Sequence, residues 1–540
     1  MGWSLTGGAT ARLKQATLLA CIIASGIGVL DSTIVNIALP TIQRSLGGGL
    51  AGQQWIVNAY LLTLGSLILI GGSLEDIFGA RRVFPLGVFG FGVASILCGL
   101  SPSIGVLVAC RALQGVAGAL LVPSSLAVIV ATFPEEERGR AVGTWTAFTT
   151  IATVVGPLAG GALLAVASWR WLFFINVPFV AICLGLILRV IPLAIPTKTR
   201  RSVDLRGGLL CVLGLGGAVF ALIEETRLGW GSPAVLIPLC GGGLALCSFV
   251  IAERRAGDPM LPLGLFSRRN FAVANAETLL VYAGLAVLIL FLVLFLQQVA
   301  GYSPLNSGLA LFPTTVVMFA CSRAFGALAG RLGPRGFMGA GPLIGACGLL
   351  LLLRVGARPS YLADLLPAII VFGLGLSMTV APLTATVLSD IDTHQAGIAS
   401  AVNNAIARVA ALVGTAAVGS VLAGTFAASL DSRLAGVKLG APARAAELAA
   451  KHIVLGRPSV AHLPPAQAHA LLEAARAASV GSFHVAVVIA AALLALGGLA
   501  GVAGIENRPP RSKGPSAPKQ PRSAKTPRRA SDQRGGLAAG

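Results

Sequence analysis

An all-α polytopic membrane protein is expected from three features of this sequence. Of 540 residues, 55% are hydrophobic and only 11% charged, against about 25% charged in a soluble domain; the mean hydropathy is +0.85. Uncharged windows recur at 45–74, 83–110, 141–169, 336–353, 365–389 and 477–505, and a helix needs about 20 apolar residues to cross a bilayer. The third feature is an internal repeat. GSLEDIFGARR (72–82) and GALAGRLGPRG (326–336) lie 254 residues apart and share Gly72/Gly326, Leu74/Leu328, Gly79/Gly333 and Arg81/Arg335.

Apolar runs bounded by turn signals place spans near 15–39, 54–75, 83–101, 105–128, 141–167, 172–193, 207–225, 235–253, 270–297, 306–330, 337–353, 362–386, 397–424 and 482–505, fourteen in all. The repeat then divides the chain. A short N-terminus (1–14) precedes a six-helix half (15–193), two inserted spans with their loops (194–269), a second six-helix half (270–505) and a tail (506–540). The long loop 425–481 carries PARAAELAAKHIV and PPAQAHALLEAARAAS, which read as short Ala-rich helices capping the outer face. The second opens at Pro464–Pro465, where proline suits a first turn. The first apolar segment, after Lys14, is too long for a cleavable signal peptide and lacks a small-residue cleavage pattern.

The formal net charge of +20 raises the prospect of nucleic acid, but its distribution argues against it. Nine Lys/Arg sit in the Pro- and Ser-rich tail, a composition that stays disordered. With a cytoplasmic N-terminus, the inside segments hold 25 Lys/Arg and the outside loops 11, six of them in the long loop. That asymmetry predicts both termini inside. The nine Cys all lie in apolar stretches and the five His are scattered, so neither a disulfide framework, a metal site nor any other cofactor is expected.

Charges inside the spans carry the functional question. Asp31 is the sole charge in GVLDSTIVNIALP (28–40), where a carboxylate costs at least about 2.5–3.5 kcal/mol. Two roles are open to it: exchanging a proton or holding a cation, or locking the first span against Ser32, Thr33 and Asn36. Arg111 in the fourth span, facing a pocket or a partner, is its companion candidate for coupling. Glu277 in the ninth span is the second proton-carrier candidate, with an ion pair to Arg323 of the tenth span conceivable. Asn403, Asn404 and Arg408 lie in the thirteenth span. Glu224 and Glu225, near Trp230, are expected at a solvated interface. Trp55, Tyr60, Gln114, Phe148, Tyr282 and Gln297, with Asn36, Arg323, Asn404 and Arg408, are the candidates to line a substrate cavity, roomy, largely apolar and suited to amphiphilic organic molecules.

Several stretches resemble the major facilitator superfamily. GSLEDIFGARR resembles its loop signature between spans two and three, departing at Ile77 where a basic residue is usual. Gly72 would let helices approach, Asp76 would pair with an arginine or a helix N-terminus, and Gly79, Arg81 and Arg82 would shape the turn of a charge latch. RALQGVAGALLVPSS (111–125) resembles the span-four signature. VVGPLAGG (154–161) resembles the span-five signature of exporting antiporters, with Gly156, Gly160 and Gly161 as a packing face and Pro157 as a kink. LDSTIVNIALP, QQWIVNAYLL, WRWLFFINVP and LQQVAGYSPLNSGLALFP resemble the fourteen-span drug:proton antiporters of the EmrB/QacA type.

That resemblance, from Leu13 to about Ile505, implies a proton-driven exporter of amphiphilic organic compounds in the cytoplasmic membrane, working by rocking two halves about a central cavity. The implied partners are the substrate, protons and the lipid bilayer, without nucleic acid. A periplasmic adaptor protein joins them if the cell has an outer membrane. A dedicated exporter of one endogenous metabolite or antibiotic, an importer and a non-transporting sensor are the alternatives. The chain has no G-x-x-x-x-G-K-[ST] loop for an ATP-driven pump, and no His, Asp or Ser cluster at one membrane face for an enzyme.

Overall fold

The computed structural model describes residues 7–190, 203–389, 391, 395–437 and 439–507, and these are helical throughout their ordered elements. The basic tail beyond 507 lies outside the described residues. The described residues up to Glu506 form one compact unit.

In chain order the helices are α1 (Gly7–Leu46), α2 (Gly49–Phe78), α3 (Ala80–Leu100), α4 (Ile104–Thr132), α5 (Glu135–Val166), the short α6 (Trp171–Phe174) and α7 (Asn176–Val190). Then come α8 (Leu205–Leu228), α9 (Pro233–Arg255), α10 (Arg269–Gln298), α11 (Pro304–Leu332), α12 (Pro334–Leu350), α13 (Leu366–Ser389), α14 (Ala396–Leu434), α15 (Ala441–Ala450) and α16 (Pro465–Gly504). Thirteen helices among the described residues are long and apolar enough to cross a membrane. In α5, which coincides with the expected fifth span, the apolar helical stretch singled out on that basis is the shorter Val155–Val166.

Helix starts follow local chemistry. The Ser303 hydroxyl accepts from Asn306 N–H and Ser232 from Ala234 N–H, each just before a proline at the first helical position. Asp204 accepts from Gly207 N–H ahead of α8. Such caps satisfy amides that have no partner within the helix.

The repeat is visible as one turn made twice. Gly79 joins α2 to α3 with φ 83 and ψ 142, and Gly333 joins α11 to α12 with φ 91 and ψ 150. Each donates its N–H four residues back, to Glu75 O and Ala329 O. A side chain strains this backbone, so glycine recurs where the turn recurs.

The expected second cap helix is not separate. Residues from Pro465 run unbroken into the last span as the 40-residue α16, because AQAHALLEAARAAS is rich in Ala, Leu, Glu, Gln and Arg and has no proline after the first helical position. Only α15 stands alone in that loop among the described residues.

The inserted pair α8–α9 packs through Gly214, Gly217 and Gly242, whose backbones nearly touch. Small residues permit this approach where lipid supplies no hydrophobic drive. The pair is moored to α2 and α14. Trp55 Nε1 donates to Glu224 Oε1 at 2.9 Å, and Ser420 Oγ donates to Glu225 at 2.5 Å. The two carboxylates expected to be merely solvated are therefore docking groups, with Glu224 also accepting from Arg227 at 3.1 Å.

Gly333→Ala should lower the thermal midpoint, by the equivalent of about 1–2 kcal/mol, and Gly79→Ala should do the same. Gly72→Ala should be neutral, since a Cβ there meets nothing within 4 Å. Melting of the three purified variants in one detergent checks this.

Candidate functional site

Asp31 lies on α1, 1% exposed, and is fully partnered. Arg111 NH1 donates to its Oδ2 at 2.5 Å. Gln114 Nε2 and Asn176 Nδ2 donate to its Oδ1 at 3.0 and 3.1 Å. Arg111 also donates from NH1 to Gln114 Oε1 at 2.7 Å and from Nε to Ile56 O at 3.1 Å, while its guanidinium lies 4.4 Å from the Tyr60 ring centre. Asn176 reaches on to Ser95 Oγ at 3.0 Å, and Ser95 donates to Phe173 O. The carboxylate is thus offset by a cation and two amides, the condition under which a buried pair survives.

This corrects one expectation. Ser32, Thr33 and Asn36 are not the partners of Asp31; they donate to backbone carbonyls of their own helix, at Val29, Leu30 and Ser32. In a helix the i−3 and i−4 carbonyls are their nearest acceptors. Asn176, which closes the cluster, was not singled out from the sequence. An amide inside the apolar run of WRWLFFINVP was the available signal.

Glu277 on α10 is completely buried, with neither carboxyl oxygen hydrogen-bonded. It faces α16, where a Cβ on Gly501 would lie 2.9 Å from Oε2 and one on Gly497 3.7 Å from Cγ. The conceivable pair with Arg323 is absent: Arg323 is exposed on α11, while Glu277 looks the other way, into α16. A second buried carboxyl, Glu75, sits one residue before the predicted Asp76. Position within the motif gives no sign that Glu75 is the one turned inward.

The two helix sets meet along two seams. On the first, between α2 and α14, Gln54 Nε2 donates to Thr415 O at 2.7 Å and Thr415 Oγ1 to Asn58 Oδ1 at 2.9 Å. Further along, a Cβ on Gly65 would lie 3.1 Å from Arg408 Cβ. Gly72 continues the same face of α2 one turn pair later, yet has nothing near it. The expected close approach at Gly72 is not made here because the helices have diverged. On the second seam, between α5 and α11, a Cβ on Gly161 would sit 2.5 Å from Leu305 Cα and one on Gly308 2.8 Å from Pro157 O. Leu305, Gly308, Phe312, Phe319 and Arg323 follow one stripe of α11. The first two touch α5, whereas Phe312, Phe319 and Arg323 are exposed. Gln297 Nε2 donates to Ile37 O at 3.0 Å near the same end. The bundle is therefore closed where α1 ends and α2 begins, and open where α2 ends and α11 finishes.

The antiporter-type motif supplies part of this closure. Gly156 and Gly160 pack on Thr33 and Ile34 of α1, and Gly161 on Leu305, while Pro157 stays within a continuous α5. In the loop motif, Asp76 and Arg82 are exposed and Arg81 half-buried at the open end. Of the cavity candidates, Gln114 and Tyr60 belong to the Asp31 cluster. Arg408, half-buried, and Asn404, exposed, lie on the α2-facing side of α14. Asn36 is half-buried, its Oδ1 lacking a donor. Asn403 binds Asn275 and Thr278 of α10 at 3.1 and 2.8 Å. Trp55 lies elsewhere, lining a cleft of about 700 Å³ at the closed end with Phe220 and Glu224.

The profile of the Major Facilitator Superfamily matches residues 21–415. Multidrug resistance protein Stp of Mycobacterium tuberculosis is 37% identical over 423 residues, 77% of this chain and 78% of its own. Puromycin resistance protein pur8 of Streptomyces alboniger is 39% identical over 417 residues, 76% of this chain and 82% of its own. Tetracenomycin C resistance and export protein of Streptomyces glaucescens is 35% identical over 414, covering 75% and 76%. Among solved structures, a bacterial homologue of the human lysosomal transporter Spinster, inward-facing and unoccupied, superposes with a TM-score of 0.61 at 18% identity, covering 91% of this chain and 98% of that one. The inward-open xylose transporter XylE from E. coli gives 0.55 at 12%, covering 94% and 98%.

Two outcomes follow. Asp31→Asn should cost about 3–5 kcal/mol by leaving Arg111 buried and unpaired, and Asp31→Asn with Arg111→Gln should cost less than the two single changes summed; denaturant unfolding in detergent measures both. In a cysteine-free background, Gly65→Cys/Arg408→Cys should cross-link in the state described here, where a Cβ on Gly65 would lie 3.1 Å from Arg408 Cβ. Gly72→Cys/Ala401→Cys should not, because a disulfide needs Cβ atoms about 3.5–4.5 Å apart. Cross-linking of the second pair should appear only when the bundle opens at its other end.

Proposed function

The chain belongs to the major facilitator superfamily and is a multi-pass, non-enzymatic transporter of the cytoplasmic membrane; from that premise we propose that it is a proton-coupled antiporter exporting drug-like or other amphiphilic organic compounds, of the fourteen-span EmrB/QacA type. The observation that carries the direction of transport is the set of relatives named for resistance and export, each aligned over about three quarters of this chain. Counting α5 as a span makes fourteen, with both termini cytoplasmic, and the open end of the bundle then faces the cell interior.

The residues support a division of labour. The Asp31–Arg111 cluster ties α1, α2, α4 and α7 into a body that moves as one, and a proton arriving on Asp31 would release Arg111. Glu277 is the second proton site. An anion among aliphatic groups and glycines costs several kcal/mol, so its ionisation calls for water or a cation to enter between α10 and α16. Gain and loss of that proton would then alternately tighten and loosen the packing on Gly497 and Gly501. The seams at Gly65, Gly72, Gly161 and Gly308 are the surfaces on which the two bodies rock, and the loop at 72–82 is the latch for the closed interior end. Where the cell has an outer membrane, an adaptor protein would meet the loop 425–481.

Proteoliposomes with a trapped pH dye provide the test. Addition of a substrate from a panel of lipophilic cations, neutral antibiotics and aromatic acids should move protons with the wild-type chain. Glu277→Gln should abolish proton movement while leaving substrate binding within about threefold, and Asp31→Asn should abolish both. Folded wild-type protein that moves no proton with any compound would sink the antiport reading. Unchanged flux in Glu277→Gln would place coupling at Asp31 alone.

A further inference from the structure

The charges along the seams do not balance. Asp31 and Arg111 neutralise each other inside the N-terminal helices. Glu277 is turned into α16, away from both seams. Arg408 and Arg323 remain, and neither has a carboxylate partner among the described residues. Arg408 is half-buried between helix sets, its Cβ side packed on Gly65. Arg323 is exposed on the α11 stripe facing α5. Arginine cannot shed its charge inside a protein, and an intramembrane guanidinium without a counter-ion faces water or a ligand.

Resting on the exporter reading, we propose that the opening between the two helix sets selects organic anions: Arg408, on the side of α14 turned to α2, receives the carboxylate, sulfonate or phenolate of a planar amphiphile that enters past Arg323. The planar guanidinium offers a paired set of donors to such a head group and a flat face to its ring. A lipophilic cation meets like charge at the same point, and Asp31 is already occupied by Arg111. The charge bookkeeping of transport agrees. A proton entering and an anion leaving both carry positive charge inward, so an interior-negative potential drives both.

A matched set of probes isolates charge from shape: 9-anthracenecarboxylate, anthracene-9-carboxamide and 9-(aminomethyl)anthracene, titrated by fluorescence onto the purified full-length chain in a neutral detergent. The carboxylate should bind at least about tenfold more tightly than the ammonium. Arg408→Gln should remove that preference, Arg408→Lys should keep most of it, and Arg408→Glu should reverse it, with each variant's melting curve confirming the fold. Equal or tighter binding of the ammonium by wild type, or an intact preference in Arg408→Gln, would overturn the assignment. Displacement of the carboxylate by phosphatidylglycerol at a few equivalents would also overturn it, marking Arg408 as a lipid headgroup site. Proteoliposome efflux separates this proposal from the one beneath it. Proton-coupled export of cations, indifferent to Arg408, would leave the antiporter standing without the anion site, whereas Arg408-dependent anion binding without proton movement would do the opposite.

Discussion

One buried ion pair organises the N-terminal half. Asp31 and Arg111 meet at 2.5 Å with both side chains shielded from solvent, and everything around them is a consequence of making that burial affordable. Gln114 and Asn176 complete the carboxylate, Ile56 O and Gln114 take two of the guanidinium donors, and Tyr60 covers its face. These residues come from α1, α2, α4 and α7, and Asn176 extends the network to Ser95 on α3. Truncating one partner leaves the other charged and buried, so the helices cannot drift apart separately. A body built this way is suited to rigid motion against its neighbour.

The contacts between the two helix sets are of another kind. They are single hydrogen bonds, such as Gln54 to Thr415 O, Thr415 to Asn58 and Gln297 to Ile37 O, and glycine-mediated approaches such as Gly161 to Leu305. Each is weak enough to be remade elsewhere. Strong polar networks inside the body and small-residue contacts between bodies are the arrangement that two packed states of similar energy require. The inserted α8–α9 pair complicates the picture usefully: Glu224 holds it to α2 and Glu225 to α14. It therefore spans the first seam at its closed end.

Much of this was legible in the sequence, and the reason is specific. Span positions follow from hydropathy because lipid forces every backbone group into a helix. Gly79 and Gly333 announced the repeat because only one backbone geometry closes that turn. Asp31 and Arg111 stood out as charges in apolar runs, yet nothing in the order of residues showed that they face each other. Pairing depends on how α1 rotates relative to α4. For the same reason Asn176 and Glu75 escaped notice, Glu224 and Glu225 read as solvated, and the cleft that Trp55 lines beside Phe220 and Glu224 was not foreseen. Helix rotation is set by packing across the bundle, which a single sequence states only through its apolar stripes. The merger of the outer-loop helix with the last span escaped for a simpler reason: Ala-rich sequence is helical whether or not it lies in lipid.

The two halves share a turn and a topology but not an electrostatic design. At the 254-residue offset of the repeat, the positions matching Asp31 and Arg111 are Leu285 and Leu365. The C-terminal half thus lacks the internal pair, and what it carries instead is unpaired: Glu277 packed against glycines of α16, Arg408 on the seam, Arg323 in the opening. A duplicated bundle that needed only to stand in a membrane would gain nothing from such asymmetry, since unpaired intramembrane charge is costly wherever it lies. The cost is tolerable if the charges are satisfied in turn by species that come and go, a proton at Glu277 and a counter-ion at Arg408. On that argument the N-terminal half is the frame, with its Asp31–Arg111 charges cancelling each other in the state described here. The C-terminal half carries the charges left open, the ones that the proposed proton and anion would fill and empty.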